Sequence, residues 1–318
     1  MKTQLELRYQ WSSAPMGHHD RLLLIGSCFT ANIGAALAER GFRTLANPTG
    51  IVFDPTAVAR HLQMLAQGES WPMERLFYAN ELWNSWEHHS DFSHTSREAA
   101  VEAINSAIRQ GHQCLKSATW LVLTLGSAFR YQLVDSAQPV ANNHRAPSAN
   151  FSKKLLSVEG MLQELKAAIQ AARNFNPQLK VLFTVSPVRH HRDGVIDNNR
   201  SKARLIEVVH QLVEEVDECH YFPAYELVID ILRDHRWYDI DLVHPNHAAT
   251  QYVFEQFSQL CMDDATRELA ANVYELTLAS RHRPRFPDTE AHRRFIHETA
   301  QKREKLALKL PWLLQTSG

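Results

Sequence analysis

A chain of 318 residues, 44% hydrophobic and 22% charged, carries enough apolar material to bury a sizeable core. Its 34 Lys and Arg stand against 35 Asp and Glu, so no bulk charge draws it to nucleic acid or to an anionic membrane. No apolar run approaches the roughly 18 to 20 residues of a membrane span, and "MKTQLELRYQWSSAPMGHHD" lacks the basic-then-apolar order of a signal peptide, so a cytoplasmic protein is expected.

The first element is "RLLLIGS", a buried strand, followed by a helix over about residues 29–40. "FRTLAN" is a weaker strand ending at Asn47-Pro48. Asp54-Pro55 opens a helix through "DPTAVARHLQML", since proline suits the first helical turn. "TSREAAVEAINSAIRQGHQCL" is a second long helix, capped by Thr95 or Ser96 with Glu98 close behind. "TWLVLTLGS" is nearly all apolar, as expected of a strand covered on both faces. "FRYQLVDSAQPVANN" alternates and turns, which predicts a hairpin or flap. "KVLFTVSP" is another buried strand between helices at 157–174 and 201–217. "CHYFPAY" is a short last strand, and "HPNHAATQYVFEQFSQLC" is a helix with Pro245 at its first position.

Strands separated by helices predict βαβ units and a parallel sheet covered on both sides. The expected fold is α/β: a three-layer α/β/α sandwich over residues 1–263, with inserted flap segments. Residues 264–318 are charged, helical and free of strand signals, which predicts a helical appendage packed on that body. Cys28, Cys114, Cys219 and Cys261 are scattered with no CxxC, so reduced thiols are expected rather than disulfides or a zinc knuckle.

Catalytic groups of open parallel sheets sit at the carboxyl ends of the strands. Gly26-Ser27-Cys28 lies there, before a helix whose free N–H groups suit a developing oxyanion. Thr124-Leu125-Gly126-Ser127 follows the central strand. "DLVHPNH" carries Asp241 and His244 three residues apart, which in one helical turn would share a face. The carboxylate would fix the imidazole tautomer and stabilise the imidazolium. Ser27, Asp241 and His244 thus make a candidate triad in the order Ser, Asp, His, without the G-x-S-x-G elbow of the α/β-hydrolases. Ser27 is favoured over Cys28, because a thiolate needs a cation to lower its pKa and Cys28 reads as a small residue tucked under the helix start.

The 18 histidines invite a metal reading, centred on Glu87, His88, His89, Asp91 and His94. Adjacent histidines diverge, in His88-His89 as in His190-His191, so no metal is expected. His88 and His89 are instead candidates to line the substrate pocket, and Arg189 to bind an anionic substrate group.

"GSCFTANIG", "NPTGIVFDP", "LWNSWEHHSDFSH", "LTLGSAFRY", "VANNH", "FTVSPVRHHRDG" and "DLVHPN" resemble the successive motifs of the GSCFA family. "HRPRFPDTEAHRRFI" resembles that family's C-terminal segment. The resemblance implies an SGNH (GDSL-like) hydrolase that cleaves esters with no cofactor. It gives Ser27 the part of nucleophile, Gly50 that of an oxyanion donor through its N–H, and Asp241 and His244 that of the DxxH pair. The third SGNH block usually reads G-x-N-D, but here Ala128 stands at the asparagine position. Ser127, Asn142 and Asn143 are the candidates to replace its amide, with Asn142 preferred. The expected substrate is a small-molecule or glycan ester. The rival readings are an O-acyltransferase using the same acyl-enzyme, and a binding protein on the hydrolase fold.

Overall fold

The computed structural model describes residues 5–189 and 193–314. In chain order, β1 (Arg21–Gly26) leads into α1 (Cys28–Ala38), and β2 (Arg43–Ala46) into α2 (Pro55–Gln67). A short antiparallel pair, β3 (Phe77–Ala79) and β4 (Leu82–Asn84), precedes α3 (Arg97–Ser117) and β5 (Trp120–Leu125). β6 (Phe129–Leu133), β7 (Pro139–Val140) and β8 (Phe151–Leu155) form an antiparallel flap. α4 (Val158–Phe175), β9 (Lys180–Val185), α5 (Val195–Glu215) and β10 (Cys219–Tyr221) follow. α6 (Ala224–Glu226) runs into a π-helical turn, Leu227–Leu232, and α7 (His247–Cys261), α8 (Asp264–Ser280) and α9 (Glu290–Ala307) close the chain.

The main sheet has five strands in the order β10-β9-β5-β1-β2, each neighbouring pair parallel. Its strands read as unbroken apolar runs because both faces are covered. Side chains alternate, so Leu23, Ile25, Leu121, Leu123 and Phe183 join one core with residues of α2, α4 and α5. Leu22, Leu24, Trp120, Val122 and Leu182 join the other with Phe29, Ile33 and Leu37 of α1 and Val253 and Phe257 of α7. The three-layer α/β/α expectation therefore holds.

Local signals explain most element starts. Asp54 accepts from the N–H groups of Thr56 and Ala57, with Pro55 behind it, and Ser96 accepts from Ala99 N. Two boundaries differ from the sequence reading. α5 starts at Val195 rather than 201, because Gly194 (φ 76°) turns the chain into the helix earlier. Pro245 is not in α7: Asn246 caps that helix through Ala249 N, and Pro245 sits outside it in a β-bridge to Tyr238.

α8 and α9 share a small apolar cluster of Val273, Leu276, Leu306 and Leu310. Thr277 Oγ1, on α8, donates to Glu39 O, and Trp312 Nε1, in the turn Pro311–Leu314 after α9, donates to Gly41 O, which ties this segment to the end of α1. Among the described residues no helix is long and apolar enough to cross a membrane.

Candidate active site

Gly26 ends β1 with φ 148°, and a Cβ there would fall 2.2 Å from Thr124 O, so only glycine lets the chain turn this close to β5. Its N–H donates to Asn47 Oδ1 (2.8 Å) and its carbonyl accepts from Val52 N (3.1 Å), which stitches the β1 end to the "NPTG" segment. Ser27 follows as the N-cap of α1. A serine in that place ordinarily accepts an N–H of the first turn. Ser27 does not: its Oγ caps nothing, is 1% exposed and has no hydrogen-bond partner among the described residues. The hydroxyls of Thr30, Thr124 and Thr184 are likewise buried without partners, and Gly26, Thr124 and Thr184 stand in register across β1, β5 and β9.

Cys28 opens α1 with a partly buried thiol. Burial pushes its pKa up, against weaker pulls from the Phe29 and Cys28 N–H groups and from Lys202. A thiol held protonated is a poor nucleophile.

Asp241 and His244 meet, though not on a helix. Asp241 Oδ1 accepts from Val243 N (2.9 Å) and His244 N (3.0 Å), and Oδ2 lies 2.6 Å from His244 Nδ1. Leu242, at φ 55°, makes this tight turn, and Asp239 N closes it on His244 O (2.8 Å). The bond to the His244 side chain, then those to the backbone amides, hold the Asp241 carboxyl down at about 2. Both side chains are about half exposed (50% and 44%). With Nδ1 on the carboxylate, Nε2 is the nitrogen left to take a proton. Arg189 N donates to Val243 O (3.3 Å), which docks this turn beside the end of β9. No hydrogen bond joins His244 to Ser27.

The other expected site residues are mostly occupied elsewhere. Ser27 N donates to Thr124 O (3.3 Å) and Gly50 N to Asn47 O (2.9 Å), so both expected oxyanion amides hold a carbonyl already. Gly50 (φ 99°) lies under His89, and a Cβ on it would stand 2.5 Å from His89 Cβ. Ser127 Oγ accepts from Phe129 N, while Ala128 N donates to Ser201 Oγ (2.7 Å). Asn142 is brought to Trp86 and His144: its N–H donates to Trp86 O and its Oδ1 accepts from His144 N (3.2 Å). The flap thus carries the "VANNH" segment onto the residues that follow β4, where Asn142 shapes a turn. Arg189 is partly exposed, with its guanidinium on Asn199 Oδ1.

His88 and His89 part company at the end of a turn that His88 N closes on Ser85 O (3.2 Å). His88 is fully buried, 2.9 Å from Ser85 Oγ through Nδ1 and edge-on to Trp71, and burial drives its pKa well down. His89 stays partly exposed, with Nδ1 3.0 Å from Asp91. Among the described residues no three His, Cys, Asp or Glu side chains are grouped to hold a metal ion. His190 and His191 lie outside the described residues.

Two residues escaped the sequence reading. Lys202, on α5, is 1% exposed, and its Nζ donates to Gly126 O (2.6 Å) and Ser186 O (2.7 Å), tying together the loops after β5 and β9. Burial pushes its pKa down to about 7, against the pull of Cys28. A signal existed: Asn198, Ser201, Lys202, Leu205, Val208, Val209 and Leu212 form the buried stripe of α5, and a lysine in such a stripe is an anomaly. Asn47 is the second. Its Oδ1 holds Gly26 N, and its Nδ2 is buried without an acceptor.

Residues 21–257 match the GSCFA family, and residues 273–316 match the "GSCFA domain protein, C-terminal domain". No curated protein matches the chain. Among solved structures it is similar to the Clostridium thermocellum family 3 carbohydrate esterase, at 10% identity and TM-score 0.37, covering 79% of this chain and 98% of that one. It is similar also to a carbohydrate esterase family 3 from Talaromyces cellulolyticus, at 10% identity and TM-score 0.36, covering 80% and 99%.

Proposed function

The chain belongs to the GSCFA family, and from that premise we propose that it is a serine hydrolase of the SGNH type, cleaving an ester such as an O-acyl group on a carbohydrate or other small metabolite. One observation carries the reading: a DxxH turn docked after β9 holds an imidazole 2.6 Å from a carboxylate, and the helix N-cap serine at the carboxyl end of β1 has a hydroxyl that caps nothing. In the proposed reaction Ser27 Oγ attacks the ester carbonyl as His244 Nε2 takes its proton. Asp241 holds the imidazole in the tautomer that can do so. The tetrahedral intermediate expels the alkoxide, which takes the proton from His244. Water, deprotonated by the same nitrogen, then releases the acid from Ser27.

Ser27 is enclosed and His244 exposed, so the 239–246 turn must close onto Ser27 as substrate enters. The oxyanion then takes Ser27 N–H, whose 3.3 Å bond to Thr124 O is long, and Gly50 N–H in exchange for their carbonyl partners. The buried, unpartnered Nδ2 of Asn47 beside Gly26 supports Asn47, rather than Asn142, as the amide that stands in for the one missing at Ala128.

The amides already engaged and the open Ser27–His244 gap favour a second reading, a binding protein on the hydrolase fold. Capture of the acyl group by an alcohol would make the same site an O-acyltransferase. Fluorophosphonate labelling and a panel of acyl esters of graded chain length, with and without alcohol acceptors, separate the three. Hydrolysis predicts that Ser27→Ala loses labelling and turnover, that Asp241→Asn and His244→Ala fall by about 10⁴-fold, and that Cys28→Ala keeps most activity. A folded protein that neither labels nor turns over any ester is the binding protein.

A further inference from the structure

A cleft of about 840 Å³ opens beside Trp86 and Glu87, between α2, the 69–77 segment and the flap at Gln138-Pro139. Its size is within the range of small-ligand sites. Two indoles wall it. Trp86 is fixed by stacking on Phe77 (ring centroids 3.6 Å, planes 13° apart), and Trp71 stands edge-on to the buried His88 (4.8 Å, 84°). Rings braced from behind present a preset apolar surface, at little entropic cost on binding.

The polar groups of the cleft are unevenly satisfied. Arg60 Nε donates to the buried Glu87 Oε1 at 2.6 Å, yet one terminal nitrogen of Arg60 and the Trp71 indole nitrogen are buried with no acceptor. Both atoms are enclosed in the wall, so the groups open to a ligand are the rings and the polar side chains of the lining. Gln63, Gln67 and Gln138 add amides around the rim. In charge, Arg60 and Arg75 face Glu69, Glu74 and Glu87. That balance gives a phosphate or a nucleic acid no reason to bind. A flat apolar ligand would leave the amides and charged groups of the lining facing no partner. The ligand that meets every condition is uncharged, has apolar faces to lie on an indole, and carries hydroxyl oxygens around its edge.

We propose that this cleft binds a neutral saccharide. That the saccharide is the alcohol part of the ester cleaved at Ser27 rests on the hydrolase reading. The chain path supports that link: Glu87 lines the cleft, and His89, two residues on, covers Gly50.

The test is titration of the full chain with unacylated neutral oligosaccharides of glucose, xylose and N-acetylglucosamine, read by calorimetry and tryptophan fluorescence. At least one series is expected to bind, with affinity falling tenfold or more in Trp71→Ala. A rim variant, Gln67→Ala with Gln138→Ala, leaves the packed aromatic wall intact and is expected to weaken binding severalfold. Ser27→Ala is expected to bind as the parent does. Binding that survives in a protein with no esterase activity keeps the cleft and removes only its link to hydrolysis. A folded protein that binds none of the three series, or binds one equally well in both cleft variants, overturns the proposal, as does preferential binding of a phosphorylated ligand.

Discussion

Exchanging Lys202 for methionine replaces a buried ammonium with an apolar side chain of similar length, and its consequence depends on pH in a defined direction. In the native protein Nζ donates to Gly126 O at 2.6 Å and Ser186 O at 2.7 Å, and burial lowers its pKa from 10.5 to about 7. The unfolded chain keeps an ordinary lysine, near about 10.4. Below pH 7 both states are protonated and the penalty of burying the charge is fully present. Between pH 7 and about 10.4 the unfolded state binds a proton that the folded state has released, so stability rises with pH through that window. Above it both states are neutral and the penalty is gone. At about 1.4 kcal/mol for each pH unit, the whole window is worth roughly 5 kcal/mol. Lys202→Met has neither the penalty nor the two charge-assisted bonds, each worth about 1.5 to 3 kcal/mol. Near pH 7 these losses and gains nearly cancel. Urea unfolding of both proteins from pH 6.5 to 10 measures the effect, because groups common to the two drop out of the difference. The parent is expected to gain several kcal/mol relative to the variant as pH rises. Parallel stability curves would refute the reasoning.

Two further outcomes follow from buried groups. Gly50→Ala must hold φ 99° and place a Cβ 2.5 Å from His89 Cβ and 2.9 Å from His89 N, so it should cost about 2 kcal/mol or more in chemical denaturation; a loss under about 0.5 kcal/mol would show that the 88–89 segment yields freely. His61 is fully buried, with Nδ1 2.7 Å from Thr49 Oγ1 and Nε2 2.9 Å from Glu87 O, and burial lowers its pKa from 6.5 to about 4. The His61 contribution present above pH 6.5 should therefore fall by about 3 kcal/mol as pH drops to 4, with His88 acting in the same direction and the raised Asp54 and Glu87 carboxyls in the opposite one. The check is the difference in urea stability between the parent and His61→Phe, and a difference unchanged between pH 7.5 and 5 would contradict this.

The sheet was legible because its strands are covered on both faces, which leaves runs such as "LLLI" and "WLVL" with no polar interruption. The flap hairpin was legible from its alternation and turn residues. Phe77–Ala79 and Leu82–Asn84 were not, because three residues show no period, and Phe151–Leu155 was hidden by the exposed Ser152, Lys153 and Lys154. The start of α5 was missed because Asn198 and Asn199 are weak helix formers. Tertiary burial of Asn198 and Ser201 outweighs that preference. Asp241 and His244 were paired by their spacing, but the cause is an aspartate accepting two backbone N–H groups in a turn, not a helix face.

Side-chain chemistry can be read from residue type, whereas the state of an amide depends on which carbonyl the fold brings to it. Ser27 and His244 could be named from the sequence; that Ser27 N points to Thr124 O and Gly50 N to Asn47 O could not. Ala128 shows how the two kinds of information combine. The sequence registers only that an asparagine is missing. The fold adds that Ala128 is fully buried in the core beside Leu125 and Val185, and that Ser201, from the same buried stripe as Lys202, already accepts its N–H. A longer amide at 128 would have to displace that packing, at a cost of about 1 to 3 kcal/mol, so on the proposed hydrolase reading a third donor would come from another strand end. The end of β2 supplies one in Asn47, whose Oδ1 is fixed 2.8 Å from Gly26 N while its Nδ2 remains unspent one residue from Ser27.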